Sequence, residues 1–346
     1  MVVNNLFIRK YQSGDELGIL KLFKNIFGVC RSLDYWNWQF NKNTQGKSWI
    51  MLAEAKNEIV AQYAMRRNNI NFMGRNVIAG QSCDTMVRTD QRKKNLFTQL
   101  AQEDYANAIK EGLKVVFGFP NRASYPGFMR KLGWYKICNL KCYYYRIGLK
   151  RVLGKKADRV VKRFLAFPNR IKFIVERKLL NHDISIIVSS EITDHVQGLL
   201  EEVLNYEVLS IWKDLDYMKW RYENHPEYSY DFHIINIEGR PEGLAVCRNC
   251  GETIAICELI HRTKNVRQSV LLVRHLLKYY SNSLAQKVEF SGYDEGFFDA
   301  AFALSGFNAY PSDFMFAAQA FNDERLEAML IMPNNWTISI GDTDVT

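Results

Sequence analysis

Leu17, Leu20, Phe23, Ile26 and Phe27 recur at the spacing of one helical face. Directly before them, Ser13-Gly14-Asp15-Glu16 has the serine-to-glutamate spacing of a capping box, so a helix is expected to start there. Leu96, Phe97, Leu100, Ala101, Tyr105 and Ala108 predict a second helix that Gly112 stops. Strands are expected at Leu6 to Lys10, at Trp49 to Glu54 and Glu58 to Met65 around the turn Ala55-Lys56-Asn57, and at Val77 to Val87. Lys114 to Phe119 reads as a compact apolar strand, and Tyr125 to Leu132 as a short helix ahead of Gly133-Trp134. Antiparallel strands interleaved with helices in this order predict an α/β fold, a mixed sheet with helices on both faces.

The pattern then repeats. Leu33-Asp34-Tyr35-Trp36-Asn37-Trp38-Gln39-Phe40 returns as Leu215-Asp216-Tyr217-Met218-Lys219-Trp220-Arg221-Tyr222, with Leu, Asp, Tyr, Trp and a final aromatic at the same spacing. A strand, turn and strand follow each copy; in the second they span Phe232 to Ile237 and Gly243 to Arg248. Gly118-Phe119-Pro120 through Leu132-Gly133-Trp134 is echoed by Ser291-Gly292-Tyr293 through Ser305-Gly306-Phe307. Solenoid repeats run about 20–50 residues, so this longer period is a duplicated domain. The expected division is a first domain over 1–147, a linker over 148–182 and a second domain over 183–346.

Composition changes this picture in one place. The chain has 346 residues and a net charge of +9, enough length for two cores. The stretch from Gly148 to Leu180 holds eleven basic residues against Asp158 and Glu176, which accounts for the whole excess. Its broken helical periodicity, interrupted at Pro168, predicts a solvated connector. The alternative for residues 150–178 is a site for an acidic partner, such as a phosphate-rich substrate or an anionic membrane surface. No apolar run approaches the ~20 residues of a membrane span, and Met1-Val2-Val3-Asn4-Asn5 does not open an export signal. With an odd count of seven cysteines, a reduced, cytoplasmic protein is expected.

The candidate chemistry lies at Asp84-Thr85-Met86-Val87-Arg88-Thr89-Asp90-Gln91-Arg92-Lys93-Lys94-Asn95-Leu96-Phe97. A strand ends at Val87 and a helix begins with Arg92, Lys93 and Lys94 at its mouth. Free backbone N–H groups and the positive dipole end make a helix start a phosphate site. Three cations there oppose the dipole unless an anion compensates them.

This junction resembles that of the GNAT acetyltransferase superfamily, specifically its tandem-domain bacterial members. Arg92-x-x-Asn95-x-Phe97 stands where that family carries Arg-x-x-Gly-x-Gly/Ala. Asn121, the helix from Tyr125 and Gly133-Trp134 match its later Asn, short helix and Gly-aromatic signature. The resemblance implies two tandem GNAT-like domains, with acetyl-CoA held by the loop amides and helix start (Arg92, Lys93, Lys94, Asn95, Leu96, Phe97), by Asn121, and by the strand backbone around Met86 and Val87. Asn95 replaces a Gly, a mild change because Asn tolerates positive φ. Phe97 replaces a small residue, so its ring is expected to turn inward or to hold the cofactor further out. The usual proton donor, a Tyr four residues before the Gly, falls on Met129, which leaves Tyr125, one turn earlier, as the substitute acid. Asp84, a carboxylate in an otherwise apolar strand, is the leading base for an amine, with Glu54 second.

The second half lacks the junction. Leu259-Ile260-His261-Arg262-Thr263-Lys264-Asn265-Val266-Arg267-Gln268-Ser269-Val270 has basic residues but no Gly and no matching spacing, and His261 at a strand end reads as structural. Cys247-Arg248-Asn249-Cys250 is expected to be a hairpin turn rather than half of a zinc site, and Asp342 a solvated tail residue; no metal is assigned. The sequence therefore predicts an acetyl-CoA-dependent N-acetyltransferase with its cofactor site in the first half. The acceptor is a primary amine, on an amino sugar, a small molecule or a peptide. The rivals are transfer of an aminoacyl or longer acyl group on the same fold, and a binding protein without catalysis.

Overall fold

The computed structural model describes residues 6–147 and 183–343, so the expected linker and Asp344 lie outside the described residues. The first half contains β1 (Leu6–Lys10), α1 (Glu16–Phe27), α2 (Leu33–Phe40), β2 (Trp49–Ala55), β3 (Glu58–Arg67), β4 (Ile70–Phe72), β5 (Arg75–Val77), β6 (Ala79–Val87), α3 (Leu96–Lys110), β7 (Val115–Gly118), α4 (Tyr125–Leu132) and β8 (Tyr135–Arg146). The second contains β9 (Ile184–Ser189), α5 (Gln197–Tyr206), β10 (Leu209–Ile211), α6 (Leu215–Met218), β11 (Asp231–Ile237), β12 (Arg240–Asn249), β13 (Thr253–His261), α7 (Val266–Tyr279), β14 (Lys287–Tyr293), α8 (Phe297–Leu304) and β15 (Asn308–Ala320). The short α9 (Glu324–Leu330) and β16 (Trp336–Ser339) follow, without counterparts among the described residues of the first half.

The main sheet runs β1-β2-β3-β6-β7-β15-β8-β14-β13-β12-β11-β9. Read from either end, it meets the equivalent strands in the same order. At its centre the halves exchange strands: β15 lies between β7 and β8, and β8 lies between β15 and β14. Neither half completes its own sheet. The repeated Leu-Asp-Tyr-x-x-Trp segments meet across the same centre. The Trp38 and Trp220 rings stack 5.0 Å apart and 18° from parallel. Each indole N–H donates to the other's backbone carbonyl, at 2.8 and 3.0 Å. Sheet pairing and stacking rigidly join two copies of one fold.

The helices cover the sheet as their apolar stripes require. Leu96, Leu100, Ala101, Tyr105 and Ala108 of α3 pack with Phe128 and Leu132 of α4 over one face of the first half. Ile19, Leu22 and Phe23 of α1 and Trp36 and Phe40 of α2 cover the other. Leu272, Val273 and Leu276 of α7 with Phe298 and Phe302 of α8 repeat the first arrangement. No described helix is long and apolar enough to cross a membrane.

Four local expectations differ from the structure. The capping box before α1 does not form: the helix starts at Glu16, behind Asp15, and the Glu16 carboxylate accepts from Tyr11 and from the Gly14 N–H. The strand expected from Val77 breaks at Ile78 into β5 and β6. Cys247 is a buried residue of β12, and only Cys250 lies in the turn. Asp342 is fully buried, not solvated, with Lys213 Nζ 2.8 Å from its Oδ1.

Candidate functional site

β6 and β7 run parallel and pair over Ala79↔Val115, Gly80↔Val116 and Gln81↔Phe117. β7 then stops at Gly118 while β6 continues to Val87, so the strands part in a fork. The Ser82–Val87 edge facing β7 has no strand partner among the described residues. On its other edge β6 carries a bulge: Gln62 pairs with Met86 and Ala64 with Cys83, which leaves Asp84 and Thr85 opposite Tyr63 alone. Asp84 takes φ 49° there. A bulge turns the chain locally and re-aims side chains.

Beyond Val87 the chain reaches α3 through a loop in which Lys93 (φ 71°) and Asn95 (φ 58°) are both left-handed. Alternation of hand turns successive N–H groups to one side, the anion-binding arrangement called a nest. Asn95 makes no side-chain bond to the helix start. The first N–H groups of α3 therefore lack both an intrahelical partner and a cap. Of the cations here, Arg88 is taken by Asp90 and Glu58, and Lys94 donates to Gln91 at 2.7 Å. The side chains of Arg92 and Lys93 are exposed and make no hydrogen bond or ion pair among the described residues. Lys131 of α4 joins them, its Nζ 3.4 Å from Asn95 Oδ1. An open pocket of about 240 Å³ lies among Val87, Arg92, Lys93, Asn95, Phe97 and Lys131.

Phe97 turns inward. Its ring stands edge-on to Phe128 at 5.2 Å and to Tyr63 at 6.1 Å. Space for it comes from α4: a Cβ on Gly127 would sit 2.9 Å from the Phe97 ring. The small residue missing from α3 has its counterpart one helix later, and the helix start stays clear.

The remaining candidates lie as follows. Met86 and Leu96 are buried, so only their backbones face the fork and the loop. The Asn121 carboxamide caps the turn into α4 by accepting from the N–H groups of Ala123 and Ser124, at 3.0 and 2.9 Å. Tyr125 opens α4 half-buried, whereas Met129 packs against the α3 core. Asp84 is ion-paired with Arg31, whose guanidinium lies 4.0 Å from the Phe23 ring and 4.7 Å from the Tyr35 ring. Glu54 is 3.0 Å from Arg9 on the distant β1–β2 edge, away from the fork. Arg31, Gly127 and Lys131 escape a sequence reading, because only the folded chain brings them to these positions.

The equivalent place in the second half is closed three times over. Asn265 accepts from the N–H groups of Arg267 and Gln268 and so fills the start of α7 with its own side chain. His261 points its ring into the space that Gly243 leaves, and burial lowers its pKa to about 3. Where β13 and β14 part, β16 enters and pairs with Gly292 and Tyr293. The cavity that remains beside His261 and Lys264 is about 30 Å³, room for a water or two. Among the described residues no group of His, Cys, Asp or Glu is placed to hold a metal ion.

A forked parallel strand pair and a bulged strand, built twice, with an uncapped basic helix start in the first copy, match a known protein family. Residues 7–137 match the family model described as an acetyltransferase (GNAT) domain. The first half is thus a GNAT domain, and the second half repeats its fold. Similar solved structures include a probable N-acyltransferase from Enterococcus faecalis V583, at 12% identity over 90% of this chain and 72% of that one, TM-score 0.66. A GCN5-related N-acetyltransferase from Kribbella flavida is 11% identical over 96% of this chain and 74% of that one, TM-score 0.62. A tandem GNAT protein from the clavulanic acid biosynthesis pathway is 9% identical over 91% and 98%, TM-score 0.58. At such identities the likeness speaks for the fold. No curated protein sequence matches the chain.

Proposed function

We propose that this protein is an acetyl-CoA-dependent N-acetyltransferase with a single cofactor site, at the β6–α3 junction. The observation that carries this reading is the open start of α3, with its left-handed Lys93 and Asn95 and with Arg92 and Lys93 side chains that no described residue pairs. A pyrophosphate suits this place: amides and cations converge on it, and no described residue compensates them. The cosubstrate supplies an activated thioester. The chain's part is to hold it along the end of β6, where the backbone of Met86 and Val87 would polarise an acyl carbonyl and fix the direction of attack.

The acceptor is a primary amine that enters beside the Asp84 bulge, on the side of α1 and α2. Asp84 is already shared with Arg31, so its part is to orient the amine and, through its carboxylate, to draw off a proton. Tyr125, at the start of α4, is the proposed proton donor to the departing thiolate; Tyr125→Phe should lower kcat with little change in acetyl-CoA affinity.

Titration calorimetry with acetyl-CoA tests the reading. Wild type should bind, and Arg92→Ala should weaken binding about 10-fold or more, the usual worth of a charge-assisted hydrogen bond. Absence of binding to the wild-type protein would overturn it.

A further inference from the structure

The second half reaches the fork of the first. Gln81 is fully buried and belongs to the last β6–β7 pair before the strands part. Its Nε2 donates to the Asp342 carbonyl at 2.9 Å, and its Oε1 accepts from Asn68 at 2.9 Å and from Arg66. The turn over 340–343 is thus laid directly against the point of the fork.

That turn is fixed from below by a buried ionic cluster. Lys213 Nζ is 2.8 Å from Asp342 Oδ1 and 2.7 Å from Glu258 Oε2. Asp342 Oδ2 accepts from the Ser339 N–H at 2.8 Å, and Tyr222 Oη donates to Glu258 at 2.6 Å. Arg221 donates to the carbonyls of Gly341 and Thr343, both at 3.0 Å. Gly341 admits no side chain, since a Cβ would lie 2.1 Å from Tyr222 Oη and 2.8 Å from the Cys257 carbonyl. Apolar residues of the same volume often stabilise as well as such a buried cluster does. What the charges add is direction: they fix one placement of the turn.

We propose that the Lys213–Glu258–Asp342 cluster positions the active site of the other half. It pins residues 340–343 against Gln81 and so sets where β6 and β7 part and how the Ser82–Thr85 edge is presented. In this view the second fork, filled by β16, serves as an anchor for the first. The inference rests on the reading of the end of β6 as the acyl-transfer site.

Cys83 reports on the fork without any acceptor. It lies two residues beyond Gln81 and is 3% exposed. With the exposed Cys30 and Cys250 changed to Ser, the modification rate of Cys83 by a thiol reagent is followed by peptide mapping, with buried Cys138 and Cys247 as internal controls. Two variants break the contact from opposite sides: Gln81→Met, and the charge-free triple Lys213→Met, Glu258→Gln, Asp342→Asn. Both should raise Cys83 reactivity about 10-fold, the opening expected from one lost buried hydrogen bond, and leave the controls unchanged. An unchanged Cys83 rate in either variant overturns the proposal, and so does a parallel rise at Cys138 and Cys247, which marks general loosening. Calorimetry with acetyl-CoA on the same variants should still detect binding, because the phosphates are held at the start of α3 and not by the pinned edge. Failure of the wild-type protein to bind acetyl-CoA overturns the acyl-transfer reading instead, whatever the thiol result.

Discussion

The two strand-to-helix junctions began as copies and differ in what fills them. At the first, Asn95 uses its backbone, adopting φ 58° and leaving the amides of α3 free. At the second, Asn265 uses its side chain and takes two amides of α7 for itself. The same residue type, at the same place before the helix, opens one site and closes the other. The forks differ likewise: beyond Gln81 the first has no strand between β6 and β7 among the described residues, and the second is filled by β16. Closing the second fork gives rigidity to a centre that both halves share. This makes the duplication a division of labour, which substitutions can break at several strengths.

The largest expected effect lies where the copies are still equivalent. Trp38→Ala or Trp220→Ala removes a stacked, buried indole and orphans the carbonyl that its N–H satisfied. Each should cost about 3–5 kcal/mol of unfolding free energy in urea. Were the halves separate domains touching at a surface, the loss would stay near ~0.5 kcal/mol. Because β8 and β15 are exchanged, unfolding followed by far-ultraviolet circular dichroism and by tryptophan fluorescence should coincide in one transition.

Acid separates the halves by composition. All six histidines lie at or beyond His182. Burial lowers the pKa of His225, His233 and His261 to about 3 each. For a base the sign is plain: the unfolded chain takes protons near pH 6.5 while the folded chain refuses them until about pH 3. These residues therefore leave stability intact above pH 6.5, and each removes up to ~1.4 kcal/mol per pH unit as the pH falls below it. Stability measured in urea should decline from about pH 6 toward pH 3. Replacing His261 by the uncharged, similarly shaped Asn should flatten that slope, and an unchanged slope would contradict its assignment as a buried neutral ring.

Most of the scaffold was legible because it obeys local rules. The stripes of α1 and α3, the hairpin around Lys56-Asn57 and the Gly stop after α4 all follow from spacing and backbone preference. The basic helix start was legible for the same reason, since three cations at a dipole's positive end demand an explanation. Strand exchange was not legible, because β8 and β15 have ordinary strand patterns and only tertiary pairing decides their neighbours. The same limit hid Gly127, whose need for a missing side chain appears only once Phe97 lies against it. It also hid the burial of Asp342: nothing near it in sequence announces Lys213 as its partner. The Ser13–Glu16 capping box failed because the helix starts only at Glu16, whose carboxylate turns to Tyr11 and the Gly14 N–H instead.

The phosphate site can be weakened by backbone alone. Asn95→Val keeps every charge but places a β-branched residue at positive φ, at a cost of about 1–2 kcal/mol. Acetyl-CoA affinity should fall about 10-fold, because the strained residue draws the loop out of its nest. Asn95→Gly restores the freest backbone and should bind at least as well as wild type. Equal affinities for the Val and Gly variants would show that the side chains of Arg92 and Lys93, and not the left-handed loop, make the site.

The smallest effect is expected at the closed junction, and there the silence of one measurement matters as much as the signal in another. Asn265→Ala removes the acceptor for two amides of α7 and should lower stability by about 0.5–2 kcal/mol, read as a shift in thermal midpoint. It should leave acetyl-CoA stoichiometry at one per chain. Uncapping α7 does not clear the fork, where β16 still pairs with Gly292 and Tyr293, nor does it remove the His261 ring. A second equivalent of acetyl-CoA bound by Asn265→Ala would mean that the cap alone silences this half. A stoichiometry held at one, with the expected loss of stability, places the closure in β16 and the buried cluster beneath it.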